Sequence, residues 1–389
     1  MQLARLSLVT CTLLASLSAE DYINVQYLHY QESDDRITVS SPTFEVNKDF
    51  GVDYSLNFRG IYDGISGASP TYYDASTGAS NKVRRAPLNS DFGRGPVADK
   101  EDIVYDNVSF AERRVGLSAL LTTRFDTRDE LRVGLNWSLE YDLYLYEGSL
   151  EYMHFLDGSK NRSITFGGSY QRHVNLVPCG DYASACDGSS GPSKQISSNH
   201  TNLQTSFSQV IDQSSVASAT LFYMNENGYL TNSYKNIVRN YHTDATIVNE
   251  NRPESRNQGG IILEYTKSIV PELALHVNYR YYIDDWKMSS HTPNVKVLYQ
   301  ISNALRLDAG FRYYSQKGAY FYSGNRDAFT DETYASSDER LADFKAYEPS
   351  IGMNLSLTKE ISYNLSGSYY EQSTGLSALY LITGFKYHF

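Results

Sequence analysis

Large apolar side chains return at every second position along most of this chain, and that period decides what it can fold into. "LRVGLNWSLEY" sets Leu131, Val133, Leu135, Trp137, Leu139 and Tyr141 against Arg132, Gly134, Asn136, Ser138 and Glu140. "VDYSLNFRGIY" does the same with Val52, Tyr54, Leu56 and Phe58 against Asp53, Ser55, Asn57 and Arg59. "LALHVNYRYY" and "LRLDAGFRYY" repeat the pattern further along. A period of two gives an extended strand one apolar and one polar face. Many of these segments carry aromatics near an end and aliphatics in the middle, the profile of a strand that crosses lipid with its rings at the interfaces.

Sixteen such segments are expected, near 22–31, 37–47, 51–62, 104–124, 130–141, 144–155, 162–173, 199–211, 215–227, 256–267, 272–283, 287–300, 304–316, 345–358, 361–371 and 377–389. The links between them alternate in length. "NKD", "DTRD", "DGSKN", "DQS", "SIVP", "SNA" and "KE" are tight, whereas 63–103, 174–198, 228–255 and 317–344 are long. Short turns at one end and long loops at the other is the outer-membrane arrangement, with the short turns in the periplasm. A secreted sandwich has no reason to sort its loops that way, and its strands average about five to six residues. The fold class is therefore all-β: a transmembrane antiparallel β-barrel of about 16 strands with long extracellular loops. Its inner wall is expected to carry Arg59, Arg114, Arg132, Arg280, Arg306 and Arg312 beside Asp53, Glu140, Glu151, Glu264 and Asp308. That mixture suits a water-filled lumen or one plugged by its own loops.

The two ends of the sequence agree with export to an outer membrane. Arg5, the apolar run Leu6–Leu17 and the small Ser18 and Ala19 read as a cleaved signal over 1–19, leaving the barrel over 20–389. The last strand alternates through Leu381, Phe385 and Tyr387 to Phe389, the signature of a barrel-insertion signal. Cys179 and Cys186 fall in one long loop; in an oxidising compartment a disulfide is favoured over a metal site, which would need more ligands than the loop supplies. The formal net charge of -11 argues against nucleic acid as a partner. The expected partners are outer-membrane lipid and the insertion machinery of a Gram-negative cell.

Four stretches carry a resemblance: "YDGISGASPTYYDASTGAS" (62–80), "ENRPESR" (250–256), "YRYYIDDWKMSSHT" (279–292) and "YASSDERLADF" (334–344). Together they resemble the family called domain of unknown function 3570, bacterial outer-membrane barrels of about this length. The resemblance covers the whole mature chain and implies the barrel and its membrane. It transfers no activity, cofactor or catalytic residue; the association of such proteins with lipoproteins and flavin-attachment or thioredoxin-like proteins implies a redox setting.

The strand count puts all four stretches at the extracellular mouth. Arg252, Glu254, Arg256, Asp284, Asp285, Trp286, Asp338, Glu339 and Arg340 are the candidate mouth or constriction residues, since opposite charges there would pair and draw loops inward. Such pairs at a wet surface are expected to be weak, about 0–1 kcal/mol each. A calcium site from Asp74, Asp284, Asp285, Asp338 and Glu339 would require those loops to converge. His276 and His291 lie among many serines without a recognisable catalytic spacing, and no enzyme, metal or cofactor is expected. Three readings follow: first, a porin-like channel for small polar solutes; second, a structural sleeve or assembly partner for a periplasmic or lipoprotein redox component; third, a barrel enzyme acting on lipid.

Replacing Phe389 and Tyr387 together by Ala should lower the yield of heat-modifiable barrel in the outer membrane and leave degradation products in the periplasm. Undiminished yield from the double variant would remove the insertion-signal reading.

Overall fold

The computed structural model describes residues 21–34, 36–77, 95–178 and 193–389. Nineteen strands run in chain order: β1 (Tyr22–Glu32), β2 (Ile37–Phe50), β3 (Tyr54–Asp74), β4 (Gly95–Pro96), β5 (Ile103–Arg124), β6 (Glu130–Leu139), β7 (Leu143–Phe155), β8 (Arg162–Pro178), β9 (Ser193–Asp212), β10 (Ser215–Gly228), β11 (Asn236–Arg239), β12 (Thr246–Asn249), β13 (Ser255–Val270), β14 (Leu273–Asp284), β15 (Ser289–Gln300), β16 (Leu305–Lys317), β17 (Phe344–Ser356), β18 (Ile361–Gln372) and β19 (Ser377–His388). Sixteen of them close into an antiparallel barrel, and β4, β11 and β12 form a separate three-stranded sheet. Each expected strand is present. The seam is the first strand on the last, with Tyr22 opposite His388 and Glu32 opposite Ala378.

The alternation has the consequence expected of it. Leu56, Phe58, Leu117, Leu121, Val133, Leu135, Leu203, Phe207, Leu221, Leu263, Ile351 and Leu381 point outward and are exposed, a belt that only hydrocarbon can cover. Its height can be read from the rings. Phe50, Tyr54 and Phe125 mark the short-turn end, while Tyr62, Tyr170, Tyr223 and Tyr369, all exposed, are each the ninth residue of their strands. About nine to eleven tilted residues span a bilayer. The chain thus crosses a membrane with strands; no helix among the described residues is long and apolar enough to do so.

The inner wall is polar and largely paired. Arg132 bonds Glu151 and Glu130, Asn136 bonds Glu147, and Gln204 also reaches Glu151. Glu264 accepts from Ser218 and Asn278, Arg312 meets Glu348 at 3.1 Å, and Lys296 meets Asp308 at 2.9 Å. Of the expected lumen charges, Arg114 pairs with Asp63, whereas Asp53 and Glu140 lie in turns just beyond the strands.

The long loops differ from expectation in where they begin. The hairpin β3–β5 stays paired from Tyr54–Thr123 up to Asp74–Ile103, and β8–β9 up to Pro178–Ser193. The strands outrun the membrane because cross-strand hydrogen bonding does not depend on lipid; polar text beyond the belt reads as loop in sequence but is ladder in space. Cys179 and Cys186, and the signal segment 1–19, lie outside the described residues.

An epitope inserted at Asp331, in the long link between β16 and β17, should bind antibody on intact cells. One at Lys160, in the turn between β7 and β8, should bind only after permeabilisation. The opposite pattern would invert the barrel in the membrane.

Candidate functional site

Two long loops, 229–254 and 318–343, do not stand up from the rim; they cross it. The first leaves the barrel between β10 and β13 and docks on β3. There Asn236 donates its backbone N–H to Thr71 Oγ1 and its side-chain amide to the Tyr72 carbonyl, each at 2.8 Å, and Lys235 Nζ donates to the Pro70 carbonyl. In the barrel order, β13 and β3 are separated by six strands one way round and eight the other, so this loop spans close to a diameter. The second loop leaves between β16 and β17 and reaches the same wall. Glu339 accepts from the Tyr105 hydroxyl of β5 at 3.1 Å and lies 3.5 Å from Arg36, while the Tyr72 hydroxyl donates to the Gly324 carbonyl at 3.0 Å.

Apolar residues hold the two loops together as a folded strap. Ile237 and Ile247 are fully buried; Ile247 packs with Val238, Tyr72 and Ile103, and Ile237 with Phe329 and Ala335. A second cluster, Leu230, Trp286, Met288, Phe321 and Leu341, ties both loops to the β14–β15 turn. Burying an isoleucine completely stabilises by about 1.5–3 kcal/mol. The hairpin β11–β12 and its partner β4 satisfy part of the strap's backbone, and Asn251 pairs with Ala335 between the loops.

Inside the strap lies a charge cluster. Arg252 lies between Glu250 at 2.5 Å and Asp338 at 2.6 Å, and Arg340 also binds Asp338. Glu250 is 0% exposed, Asp338 2%, Arg252 3% and Lys235 4%, with Ser336 and the Asn232 backbone N–H also donating to Glu250. Burial pushes the Asp338 carboxyl up, but Arg340, Arg252 and Lys235 outweigh it and hold it well below its ordinary 3.8. The expectation of weak, wet surface pairs is overturned here. The loops close over these charges, so removing one partner strands the others in a place water does not reach.

The candidate mouth residues therefore fall into two groups. Arg252, Asp338, Glu339 and Arg340 belong to the strap. Arg256, Asp284, Asp285 and Trp286 belong to the rim: Arg256 meets Asp284 at 2.5 Å and lies 4.3 Å over the Trp286 ring, and Trp286 donates to the Ser255 carbonyl. Asp285 accepts from the backbone and side chain of Asn257. Glu254 is exposed, and only its backbone carbonyl is used, by Gly228. Among the described residues the acids Asp74, Asp284, Asp285, Asp338 and Glu339 are not drawn into one group of possible metal ligands; Asp74 accepts from Ser76. The carboxylates that do converge are Glu112, Glu140 and Asp142, whose oxygens lie within 4.8 Å of one another, with Tyr234 of the strap donating to Asp142.

Sequence reading missed Glu250, Lys235, Asn236 and Ser336. Glu250 was visible as the first residue of "ENRPESR", two positions before Arg252, and Ser336 lies in "YASSDERLADF", two positions before Asp338; Lys235 and Asn236 carry no local signal, because their partners are distant in the chain.

The sequence profile of a family described as protein of unknown function, DUF3570, matches residues 3–386, and the chain belongs to that family. No curated protein is significantly similar in sequence. Among solved structures the chain is similar to a bacterial polysaccharide outer membrane secretin (TM-score 0.49, 8% identity, 95% of this chain and 98% of that one). It is also similar to the CymD monoaromatic hydrocarbon channel (TM-score 0.42, 6% identity, 95% and 88%). A third is a mutant of the ferric enterobactin receptor PfeA from Pseudomonas aeruginosa (TM-score 0.43, 10% identity, 91% and 54%), of which this chain spans about half.

Arg252→Ala should destabilise the strap by about 3–5 kcal/mol, the range for orphaning a buried charge. The expected readout is faster proteolysis within 229–254 and 318–343 with unchanged heat-modifiable migration of the barrel. Because the Asp338 carboxyl is depressed in the folded strap, its contribution is complete above its ordinary value and is lost only as the pH falls through the lower one. Asp338 itself thus adds no difference in loop proteolysis between about pH 7 and about pH 5, and a change over that range would report Glu250, whose carboxyl burial pushes up.

Proposed function

We propose that this DUF3570 barrel is an outer-membrane channel for small polar solutes whose mouth is narrowed by the two-loop strap. The observation that carries the reading is the crossing itself: two loops rooted at different parts of the rim meet over the mouth and anchor on the far β3–β5 wall. A sixteen-stranded barrel is wide enough to hold an aqueous channel. The paired charges along the wall, Arg132 with Glu151 and Glu130, Arg312 with Glu348, and Lys296 with Asp308, favour polar over apolar solutes and leave little net selectivity for one sign of ion.

The charge cluster of the strap is the feature to perturb, and a charge outside it the control. Purified wild-type protein in planar bilayers should give small or frequently interrupted currents. Arg252→Ala should raise the single-channel conductance or lengthen the open periods, since it loosens the strap without touching the barrel ladder. Glu254→Gln, at an exposed side chain at the end of the first loop and outside the charge cluster, should leave the records unchanged. A barrel that conducts nothing, with or without Arg252, would remove the channel reading and favour the sleeve.

A further inference from the structure

The inner wall just below the strap carries an arrangement that conduction does not require. On β9, Leu203 and Phe207 face outward, so Ser198 and His200, of opposite parity, face the lumen side. Ser198 Oγ lies 2.9 Å from His200 Nε2, and His200 Nδ1 lies 3.0 Å from Glu226 Oε1 on the neighbouring strand β10, directly opposite in register. A carboxylate can only accept, so Nδ1 carries the proton toward Glu226 and the Nε2 lone pair faces the Ser198 hydroxyl. That is the nucleophile, base and orienting acid of a serine acyl-transfer site, with each atom in its role. His173 of β8 stacks on His200 with ring centres 4.0 Å apart, which fixes the imidazole plane. Glu226 lies opposite Arg256 in register and so joins the site to the rim pair Arg256–Asp284.

We propose that Ser198, His200 and Glu226 form an acyl-transfer site for carboxylic esters at the mouth of the barrel. Ser198 Oγ adds to the ester carbonyl carbon as its proton passes to His200 Nε2. The bond from carbon to the leaving oxygen breaks, and that oxygen takes the proton as an alcohol. Water then attacks the acyl-serine, giving its proton to His200, which returns it to Ser198 as the carboxylic acid departs. Access depends on the foot of the strap. Ser198 is 1% exposed, and its ladder partner on β10 is Gly228, the last residue before loop 229–254; Tyr229, the first of that loop, donates its N–H to the Ser197 carbonyl at 3.2 Å. Gly228 sits at φ +109°, and a Cβ there would be 2.9 Å from Ser198 Cα. Loosening the strap frays this end of the ladder beside the serine and exposes it.

A fluorophosphonate probe tests this on the folded, full-length barrel in detergent, with the modified residue located by peptide mass spectrometry. The expected result is adduct on Ser198, slow in wild type and faster with Arg252→Ala. His200→Ala in the Arg252→Ala background should slow labelling by about 10²–10⁴-fold, the usual worth of a positioned base. Heat-modifiable migration identifies which variants are folded, and the wild-type mapping needs no variant at all. No adduct on Ser198 in either wild type or Arg252→Ala, or labelling indifferent to His200, overturns the site. The readout is covalent chemistry and not current, so a barrel that labels without conducting, or conducts without labelling, separates this inference from the channel.

Discussion

Everything in this molecule depends on the closure of one hydrogen-bonded ladder. In hydrocarbon an unpaired backbone N–H or C=O costs several kcal/mol, so a sheet that spans a membrane must have no edge. The pairing of β1 with β19, from Tyr22–His388 to Glu32–Ala378, removes the only two edges the barrel would have. Closure then fixes the rest. With sixteen strands the ring leaves a lumen, the period of two sends aliphatics outward and charges inward, and the loops at one end must either stand in solvent or fold across an opening.

They fold across it because they carry their own core. The two loops bury Ile237, Ile247, Phe329 and Ala335 together and bring Trp286 and Met288 in from the rim. The apolar clusters bring the loops together, but the charges decide which geometry is allowed. Arg252 has its partners within 2.6 Å only when Glu250 of its own loop and Asp338 of the other are both in place. Apolar contacts tolerate sliding; a buried guanidinium between two carboxylates does not.

Much of this was legible in the sequence, and the limits are physical. The barrel was readable because each strand writes its two faces locally, and sixteen repetitions of a weak signal make a strong one. The charged mouth residues were readable as candidates because "ENRPESR" and "YIDDW" concentrate charge and an aromatic where loops re-enter the barrel. Their separation into a strap and a rim was not readable. Arg252 and Arg256 are four residues apart, yet one meets Asp338 and the other Asp284, and only the path of the chain across the mouth assigns them. The Ser198–His200–Glu226 set was illegible for the same reason. His276 and His291, which stand among serines in the sequence, contact Thr266 and Tyr279, while His200 meets its carboxylate through a register that no local pattern records.

Burial of the charge cluster also determines how the strap can move. Were its pairs exposed, each would break and re-form independently at a cost near zero, and the loops would drift through a continuum of positions. In the observed arrangement Glu250, Arg252, Lys235 and Asp338 share one dry site, so parting any pair leaves charges without water or partner. Intermediate positions are penalised most, because there the charges have left each other but have not reached solvent. Once the loops separate fully, water solvates all of them and the penalty disappears. The cluster therefore favours the fully seated strap over partly parted positions. The strap's first residue, Tyr229, continues the β9–β10 ladder in which Gly228 pairs with Ser198, so the seating of the strap and the order of the wall at Ser198 are coupled through one stretch of backbone.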